Sequence, residues 1–203
     1  MSPRTEAANQ QIRKERQRNI LDAALKLFAI KGLSATKISD IAVEANLSYG
    51  LIYHYFNTKD QIFTELVKEA MKISINVFKQ GSKLPVGPLE KIKIITEKII
   101  DDGYSGRGVY YFLLMIEAAN SDIVPAEVKK FRERRKGIYH RLLTPIIIEG
   151  QRIGEIIEEE PVRLATAYFA LIKGLALLYP RINLAKELPT AEIVLNLFKK
   201  KRD

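Results

Sequence analysis

The chain has 203 residues, of which 47% are hydrophobic and 28% are charged, as in ordinary soluble globular proteins. It has no cysteine, which excludes disulfides, thiolate metal sites and cysteine nucleophiles. The formal net charge of +9 favours a polyanionic partner, although a basic balance also serves solubility alone. The first ten residues lack the apolar core of a signal peptide, and the longest nearly apolar run, residues 164–179, contains Lys173. That run is shorter than the roughly 20 residues that span a bilayer, so we expect a cytoplasmic protein with no membrane partner.

Helical periodicity runs through almost every segment, beginning with an apolar stripe over residues 11–30. Gly32 is expected to end this first helix as a C-terminal cap. A short helix follows Thr36, residues 46–48 form a turn, and a third helix is predicted over residues 49–56 with Ser48 as its N-cap. The N-terminal part of the chain is therefore a set of short, closely spaced helices.

A long fourth helix is predicted from residue 58 to about residue 78, because a capping box precedes an apolar run there. Residues 81–88, punctuated by glycine and proline, are expected to form a loop. Later helices are predicted at 89–102, 109–120, 125–149, 161–179 and 190–200. We predict an all-α fold, with a small N-terminal domain of residues 1–57 and a C-terminal helical bundle of residues 58–203.

Residues 32–59 have the pattern of a helix-turn-helix, in which one helix supports a second that enters the major groove of DNA. Asn46 occupies the turn position, where asparagine is the best non-glycine choice for a left-handed backbone. Ile52 and Phe56 can face the core and hold the angle between the helices. The N-terminal three-helix domain is thus predicted to bind double-stranded DNA.

The candidate DNA contacts combine hydroxyl, aromatic and basic side chains around the two short helices. The supporting helix begins with free amides and a positive dipole end that favour a phosphate, and a lysine opens the fourth helix. The second helix offers its N-terminal residues to base edges, and its glycine leaves room for close backbone approach. The DNA-binding candidates are Thr36, Lys37, Ser48, Tyr49, Gly50, Tyr53, His54, Tyr55 and Lys59.

Five of these candidates also have a purely structural interpretation. Tyr53 and Tyr55 are alternatively aromatic residues of the core. His54 is alternatively an ordinary surface histidine, and Lys37 and Lys59 are alternatively solvated charges.

Over residues 12–66 the chain resembles the TetR/AcrR family of bacterial and archaeal transcriptional regulators. The matching residues are Ile20-Leu21-Asp22-Ala23-Ala24, Leu27-Phe28, Gly32, Thr36, Ile38, Asp40-Ile41-Ala42, Ala45, Leu47-Ser48, Gly50, Ile52-Tyr53-His54-Tyr55-Phe56 and Lys59. Positions that commonly face DNA in the family match Thr36, Ser48, Tyr49, Tyr53, His54 and Lys59. Asn46 replaces the usual turn glycine, and Tyr49 replaces a frequent small or basic residue, so the identity of the base contact stays open.

The resemblance implies that the C-terminal bundle dimerises. Residues 164–178 are apolar around much of a helix, as expected for a helix buried in a partner or, alternatively, in the core of its own chain. The dimer-interface candidates are Ala167, Ala170, Gly174, Leu175, Leu178, Val194 and Leu197.

The resemblance also implies a pocket for a small-molecule effector, whose identity the sequence does not name. Pockets of this kind need apolar and aromatic walls with a few polar groups. The candidates are Tyr104, Tyr111, Met115, Glu117, Phe131, Tyr139 and Phe169, each of which is alternatively a core or surface residue.

The leading hypothesis is a repressor that binds a palindromic operator as a homodimer and is released by the effector. The alternative is a DNA-binding regulator without an effector, controlled by a protein partner or by its abundance. An enzyme is not expected, because the chain has two histidines and no HExxH, GxxxxGK or GxSxG motif. No catalytic residue, cofactor or metal site is therefore predicted.

Overall fold

The computed structural model describes residues 6–103, 106–178, 189–196 and 198–200. These residues form ten helices: α1 Glu6–Ala35, α2 Ile38–Glu44, α3 Tyr49–Tyr53, α4 Lys59–Ser82, α5 Pro88–Gly103, α6 Arg107–Asn120, α7 Ala126–Arg134, α8 Ile138–Arg152, α9 Pro161–Leu178 and α10 Ala191–Asn196. Within these ranges there is no strand, and one isolated antiparallel bridge joins Ile156 to Lys199. The predicted all-α fold is confirmed.

The N-terminal helices follow the sequence pattern closely. Gly32 breaks α1 with φ 81° and ψ 165°, a conformation that glycine adopts without steric cost. Asn46 has φ 54°, the left-handed conformation expected for the turn between α2 and α3. Helix α3 is shorter than predicted and ends at Tyr53, but Phe56 is still buried in the core.

Three helix boundaries differ from the predictions. Helix α4 continues past residue 78 and includes Gly81, which lies against Ile95 of α5 and leaves no room for a Cβ atom there. The single helix predicted at 125–149 is wrong, because Gly137 adopts φ 71° and separates α7 from α8. The last helix is also shorter than predicted, since Lys199 pairs in a bridge instead of continuing α10.

Two hydrophobic cores organise the molecule. The first contains α1 to α4 and also buries Leu114 and Ala118 of α6, with the rings of Phe28 and Phe63 5.3 Å apart in an edge-to-face contact. The second lies among α4, α5, α8, α9 and α10 around the buried Tyr168, whose hydroxyl is 3.0 Å from Thr96 Oγ1. Helix α6 therefore belongs to the core of the N-terminal helices as well as to the bundle.

Helix α9 is long and apolar enough by composition to cross a membrane. In this fold its inner face packs against α6 and α8, with Tyr168 and Ala165 in the core. This packing accounts for the apolar residues of its inner face.

Candidate DNA-binding face and effector site

The helix-turn-helix is held by backbone hydrogen bonds and by buried side chains below it. Leu47 N donates to Ala42 O at 2.9 Å, and Asn46 N donates to Val43 O at 3.0 Å, so the turn is closed tightly after α2. Ile52 and Phe56 are buried, which fixes the face of α3 that points inward. The opposite face of α3 is consequently presented to solvent in one defined orientation.

Tyr49 and Tyr53 form a preorganised pair on this outer face. Their side chains are 55% and 43% exposed, their hydroxyl oxygens lie 3.0 Å apart, and their rings meet edge to face at 5.2 Å. The hydrogen bond with Tyr49 raises the pKa of the Tyr53 hydroxyl. The pair offers hydroxyl groups that can both donate and accept, on rings with exposed apolar faces.

Four further predicted residues are also exposed, and with Tyr49 and Tyr53 they make up what we call the candidate DNA-binding face: Lys37, Ser48, Gly50 and His54. No atom lies within 4 Å of the position that a Cβ on Gly50 would occupy, so a ligand can approach the backbone there. Among the described residues Lys37 has no ion-pair partner. The neighbouring carboxylate of Asp40 accepts from Lys37 N at 3.3 Å, and that of Glu44 pairs with Lys26.

Tyr55 is only partly buried and packs against the first hydrophobic core. The interpretation as a core aromatic residue therefore fits Tyr55 better than it fits Tyr53.

The Thr36 side chain points inward, which corrects the expectation that it meets phosphate, and the part-buried Lys59 ammonium is bonded to the backbone of its own chain. The Thr36 side chain is 0% exposed, and its Oγ1 donates to Gly32 O at 2.7 Å. Lys59 Nζ donates to Leu33 O at 2.6 Å and to Thr36 O at 2.8 Å. Both side chains satisfy carbonyl groups at the end of α1, a position where a cation is favoured by the helix dipole.

Three of the predicted effector-pocket residues meet at one place, between α4, α6, α8 and α9. The rings of Tyr139, Phe169 and Phe78 lie 5.5–5.7 Å from one another. Ser74 Oγ lies 2.6 Å from the Tyr139 hydroxyl and 4.0 Å from Met115 Sδ. Burial raises the pKa of Tyr139, so its hydroxyl stays protonated. We call these five residues the aromatic site.

Sequence reasoning missed Ser74 and Phe78 of the aromatic site. The available signal was a serine on the inward face of α4, one turn before a buried phenylalanine. Periodicity identifies such a face but does not show which other helix it meets.

The other predicted pocket residues lie elsewhere. The Tyr111 hydroxyl accepts from Arg18 Nη2 at 3.2 Å and from Arg107 Nη2 at 3.0 Å. The Arg135 guanidinium lies over the Phe131 ring, with its Cζ atom 3.9 Å from the ring centroid. Glu117 bonds to the backbone of α1 and not to the aromatic site. These three placements correct the predicted pocket, and Tyr104 lies outside the described residues.

The predicted dimer residues separate into two groups. Ala167, Ala170, Gly174 and Leu178 lie three or four residues apart on the outer face of α9, and a Cβ added at Gly174 would meet open space. Leu175 and Val194 are instead buried within the chain: Leu175 packs against Phe112 and Ile116 of α6, and Val194 is buried where α10 packs against α5. Their assignment to the interface is corrected, and Leu197 lies outside the described residues.

Comparison with known proteins identifies the fold. A family model described as bacterial regulatory proteins of the tetR family matches residues 20–66. Over 146 residues, the chain is 32% identical to the fatty acid metabolism regulator protein of Bacillus subtilis strain 168, covering 72% of this chain and 73% of that protein.

Two solved structures extend the likeness over nearly the whole chain. The TetR family regulator PfmR from Thermus thermophilus has a TM-score of 0.69 at 21% identity, covering 88% of this chain and 93% of its own. AibR, solved with isovaleryl coenzyme A and operator DNA, has a TM-score of 0.70 at 19% identity, covering 89% and 94%. At these identities the two structures show a shared fold. Together with the Bacillus relative and the family match, they show that the chain belongs to the TetR family of transcriptional regulators, which are DNA-binding proteins and not enzymes.

Proposed function

We propose that this protein is a cytoplasmic repressor that binds a palindromic operator as a homodimer and is released by a small molecule in the aromatic site. The observation that carries the proposal is the exposed, hydrogen-bonded Tyr49–Tyr53 pair on the outer face of α3. Two large aromatic side chains held together on the surface of a basic protein suit a binding face, and the major groove of DNA is a surface that they can contact.

On DNA, the N-terminal end of α3 enters the major groove and Tyr49 meets base edges. Its hydroxyl can donate to or accept from a base, while its ring face suits the methyl group of thymine. Lys37, at the start of α2, contacts phosphate, where helix amides add to the attraction. Base contacts give sequence preference, whereas phosphate contacts give affinity that depends on salt.

A dimer pairs two such faces on half-sites about one helical turn apart. The outer face of α9 supports this arrangement, because Ala167, Ala170 and Gly174 allow close approach of a second helix. Leu178, which is exposed in the single chain, would be covered in the dimer.

We infer that the effector carries an acyl chain, as an acyl thioester of coenzyme A does. The name of the Bacillus relative and the isovaleryl coenzyme A bound to AibR support this class. The rings of Phe78, Tyr139 and Phe169 suit an acyl chain, and the hydroxyl groups of Ser74 and Tyr139 suit a thioester carbonyl. Release requires that the effector bind the arrangement that cannot bind DNA more tightly than the arrangement that can. A hundredfold loss of operator affinity corresponds to a difference of about 2.8 kcal/mol.

Operator binding tests the DNA half of the proposal. A labelled palindrome from the region upstream of the gene is titrated by fluorescence anisotropy, with a scrambled duplex as competitor. Lys37→Ala should weaken binding to both duplexes and reduce the slope of log affinity against log salt by about 1. Tyr49→Ala should instead reduce the preference for the palindrome. Lys79→Ala is the matched control, because Lys79 lies about 30 Å along α4 from the start of that helix at Lys59. Unchanged binding in both variants would remove these residues from the interface.

Effector release is tested on the same complex with isovaleryl coenzyme A, longer acyl thioesters and free coenzyme A. We expect acyl thioesters to lower operator affinity in the parent protein and to act less in Tyr139→Ala. If no acyl thioester changes the affinity, the regulator without an effector becomes the better description.

A further inference from the structure

Helix α6 is tied to α1 by polar contacts at both of its ends. At its start, Tyr111 accepts hydrogen bonds from Arg18 and Arg107, and Arg107 also pairs with Asp22. Near its end, Glu117 Oε1 accepts from Leu33 N at 2.7 Å. The two cores meet at this helix, so its position also sets the position of the N-terminal helices.

The bond to Leu33 lies where α1 is broken. Gly32 takes a non-helical conformation, so the N–H of the next residue loses its helical partner and needs another acceptor. The Glu117 carboxylate supplies that acceptor from a different helix. Gly32 also makes room for it, because a Cβ at that position would lie 3.2 Å from Glu117 Oε1.

Lys59 also bonds to this short segment. Its ammonium donates to Leu33 O and Thr36 O. The backbone that leads into α2 is therefore hydrogen-bonded to Glu117 of α6 and to Lys59 of α4. We call Glu117, Leu33 and Lys59 the latch. Desolvation raises the pKa of Glu117, partly opposed by the Leu33 N–H and the Lys59 ammonium.

Glu117 Oε2 is buried and finds no hydrogen-bond partner among the described residues. A carboxylate that keeps one oxygen unsatisfied in this way has a cost. Glu117 is therefore better explained by the hydrogen bond that its Oε1 accepts from Leu33 N than by a contribution to stability alone.

The aromatic site and the latch share α6. Met115, whose sulfur lies 4.0 Å from Ser74 Oγ, is two residues from Glu117. A ligand that inserts at Ser74 and Tyr139 must displace the Met115 side chain or the helix that carries it. Packed helices respond to such an insertion by shifting as units, because close-packed interiors do not deform continuously.

We propose that Glu117 is a positioning residue: its bond to Leu33 fixes the helix-turn-helix on the C-terminal bundle, and the effector acts by moving α6 and breaking that bond. The regulatory half rests on the proposed function. The positional half rests on the contacts of a single chain and needs neither DNA nor effector.

The positional half is tested by a distance measurement within one chain. Because the chain has no cysteine, Val43→Cys on α2 and Ile153→Cys after α8 provide two unique sites for spin labels. Both residues are exposed, at 81% and 45%. Labelled protein is diluted with unlabelled protein, so that double electron–electron resonance reports the distance within one protomer.

The parent and Glu117→Gln should give one narrow distance distribution, because the glutamine oxygen still accepts from Leu33 N. Glu117→Ala should broaden or shift it. Glu127→Ala is the matched control, since it removes an α7 carboxylate that pairs with Lys68 of α4. A distribution in Glu117→Ala as narrow as that of the parent would overturn the latch, whatever the DNA measurements show.

The regulatory half is tested with the operator and isovaleryl coenzyme A. Glu117→Ala should lower affinity for the palindrome about tenfold, leave affinity for the scrambled duplex unchanged, and reduce further loss on adding the thioester; Glu117→Gln should stay within about threefold of the parent. An equal effector response in parent and Glu117→Ala overturns this half. If the parent itself does not prefer the palindrome, the proposed function fails while the distance measurement still decides the latch.

Discussion

The ammonium of Lys59 sits at the end of α1, where the last carbonyl groups of a helix carry partial negative charge. It donates to one of them, Leu33 O, and to Thr36 O, which lies between α1 and α2, and so links the end of α1 to the segment that follows it. A lysine at the start of a helix that follows a DNA-binding motif is usually interpreted as a phosphate ligand. Here the ammonium already donates to two backbone carbonyls of its own chain.

At this scale we predict that Lys59→Met destabilises the fold. The methionine keeps most of the apolar stem but loses the two hydrogen bonds, so the free energy of unfolding should fall by about 1–2 kcal/mol. Urea denaturation measures this change, and Lys79→Met, on the exposed surface of α4, should stay within about 0.5 kcal/mol of the parent. Unchanged stability with a salt slope reduced by about 1 would instead make Lys59 a phosphate ligand.

Glu117 gives a prediction about pH. Its pKa in the folded protein lies above the ordinary value of 4.5, so between these two values the folded state binds more protons than the unfolded state. The free energy of unfolding should therefore fall as pH rises from 4.5 through the raised pKa. Glu117→Gln removes this contribution, and a series of urea denaturations between pH 4 and pH 7 should show a difference between the two proteins that grows with pH. Parallel curves would contradict the shift.

At the scale of elements, two glycines have different structural roles. Gly137 has a left-handed backbone and separates α7 from α8, whereas Gly81 is helical and allows α4 to touch Ile95 of α5. Both look alike in the sequence, where each follows a polar run. Only the neighbouring helix decides whether a glycine ends an element or lets two elements approach.

Gly81→Ala should accordingly destabilise the bundle, because its Cβ would overlap the Ile95 side chain and force α4 and α5 apart. We expect a loss of about 1–3 kcal/mol in the free energy of unfolding. Gly50→Ala is the contrast: nothing lies near its Cβ position, so the same substitution should stabilise the protein by about 0.5–1 kcal/mol. Thermal or urea unfolding compares the two, and equal effects would refute the packing argument.

At the scale of the whole molecule, the outer face of α9 is the surface that the proposed dimer would cover. Its small residues are exposed in the single chain, while the inner face is already used by the second core. An apolar helix with one buried and one exposed face is half explained by its own chain. In the proposed dimer a second helix would cover the exposed face.

Ala170→Glu should therefore weaken the dimer without unfolding the protomer. A carboxylate placed in a closely packed helix interface loses its water, and we expect the dimer dissociation constant to rise at least tenfold. Sedimentation velocity measures the association, and circular dichroism checks the helices. Ala126→Glu, an exposed alanine at the start of α7, is the matched control. If both variants remain dimeric to the same extent, the interface lies elsewhere.

The sequence by itself determined the fold class, the break at Gly32, the left-handed turn at Asn46 and the family. The first three depend on chemistry within a few residues: periodic apolar side chains, caps, and backbones that only certain residues adopt. The family follows instead from a resemblance that extends over residues 12–66. The exposure of Tyr49 also follows locally, since Ile52 and Phe56 fix the inner face of α3.

The tertiary structure alone decided that Thr36 points inward, that the Lys59 ammonium bonds to backbone carbonyls, that Val194 is core, and that Ser74 faces Tyr139. It also brought Glu117 to Leu33, 84 positions away in the chain. The physical reason is that a polar group takes whichever partner its position in the packed fold offers. Residue type and spacing define what a side chain can bond, but the contacts between helices define what it does bond.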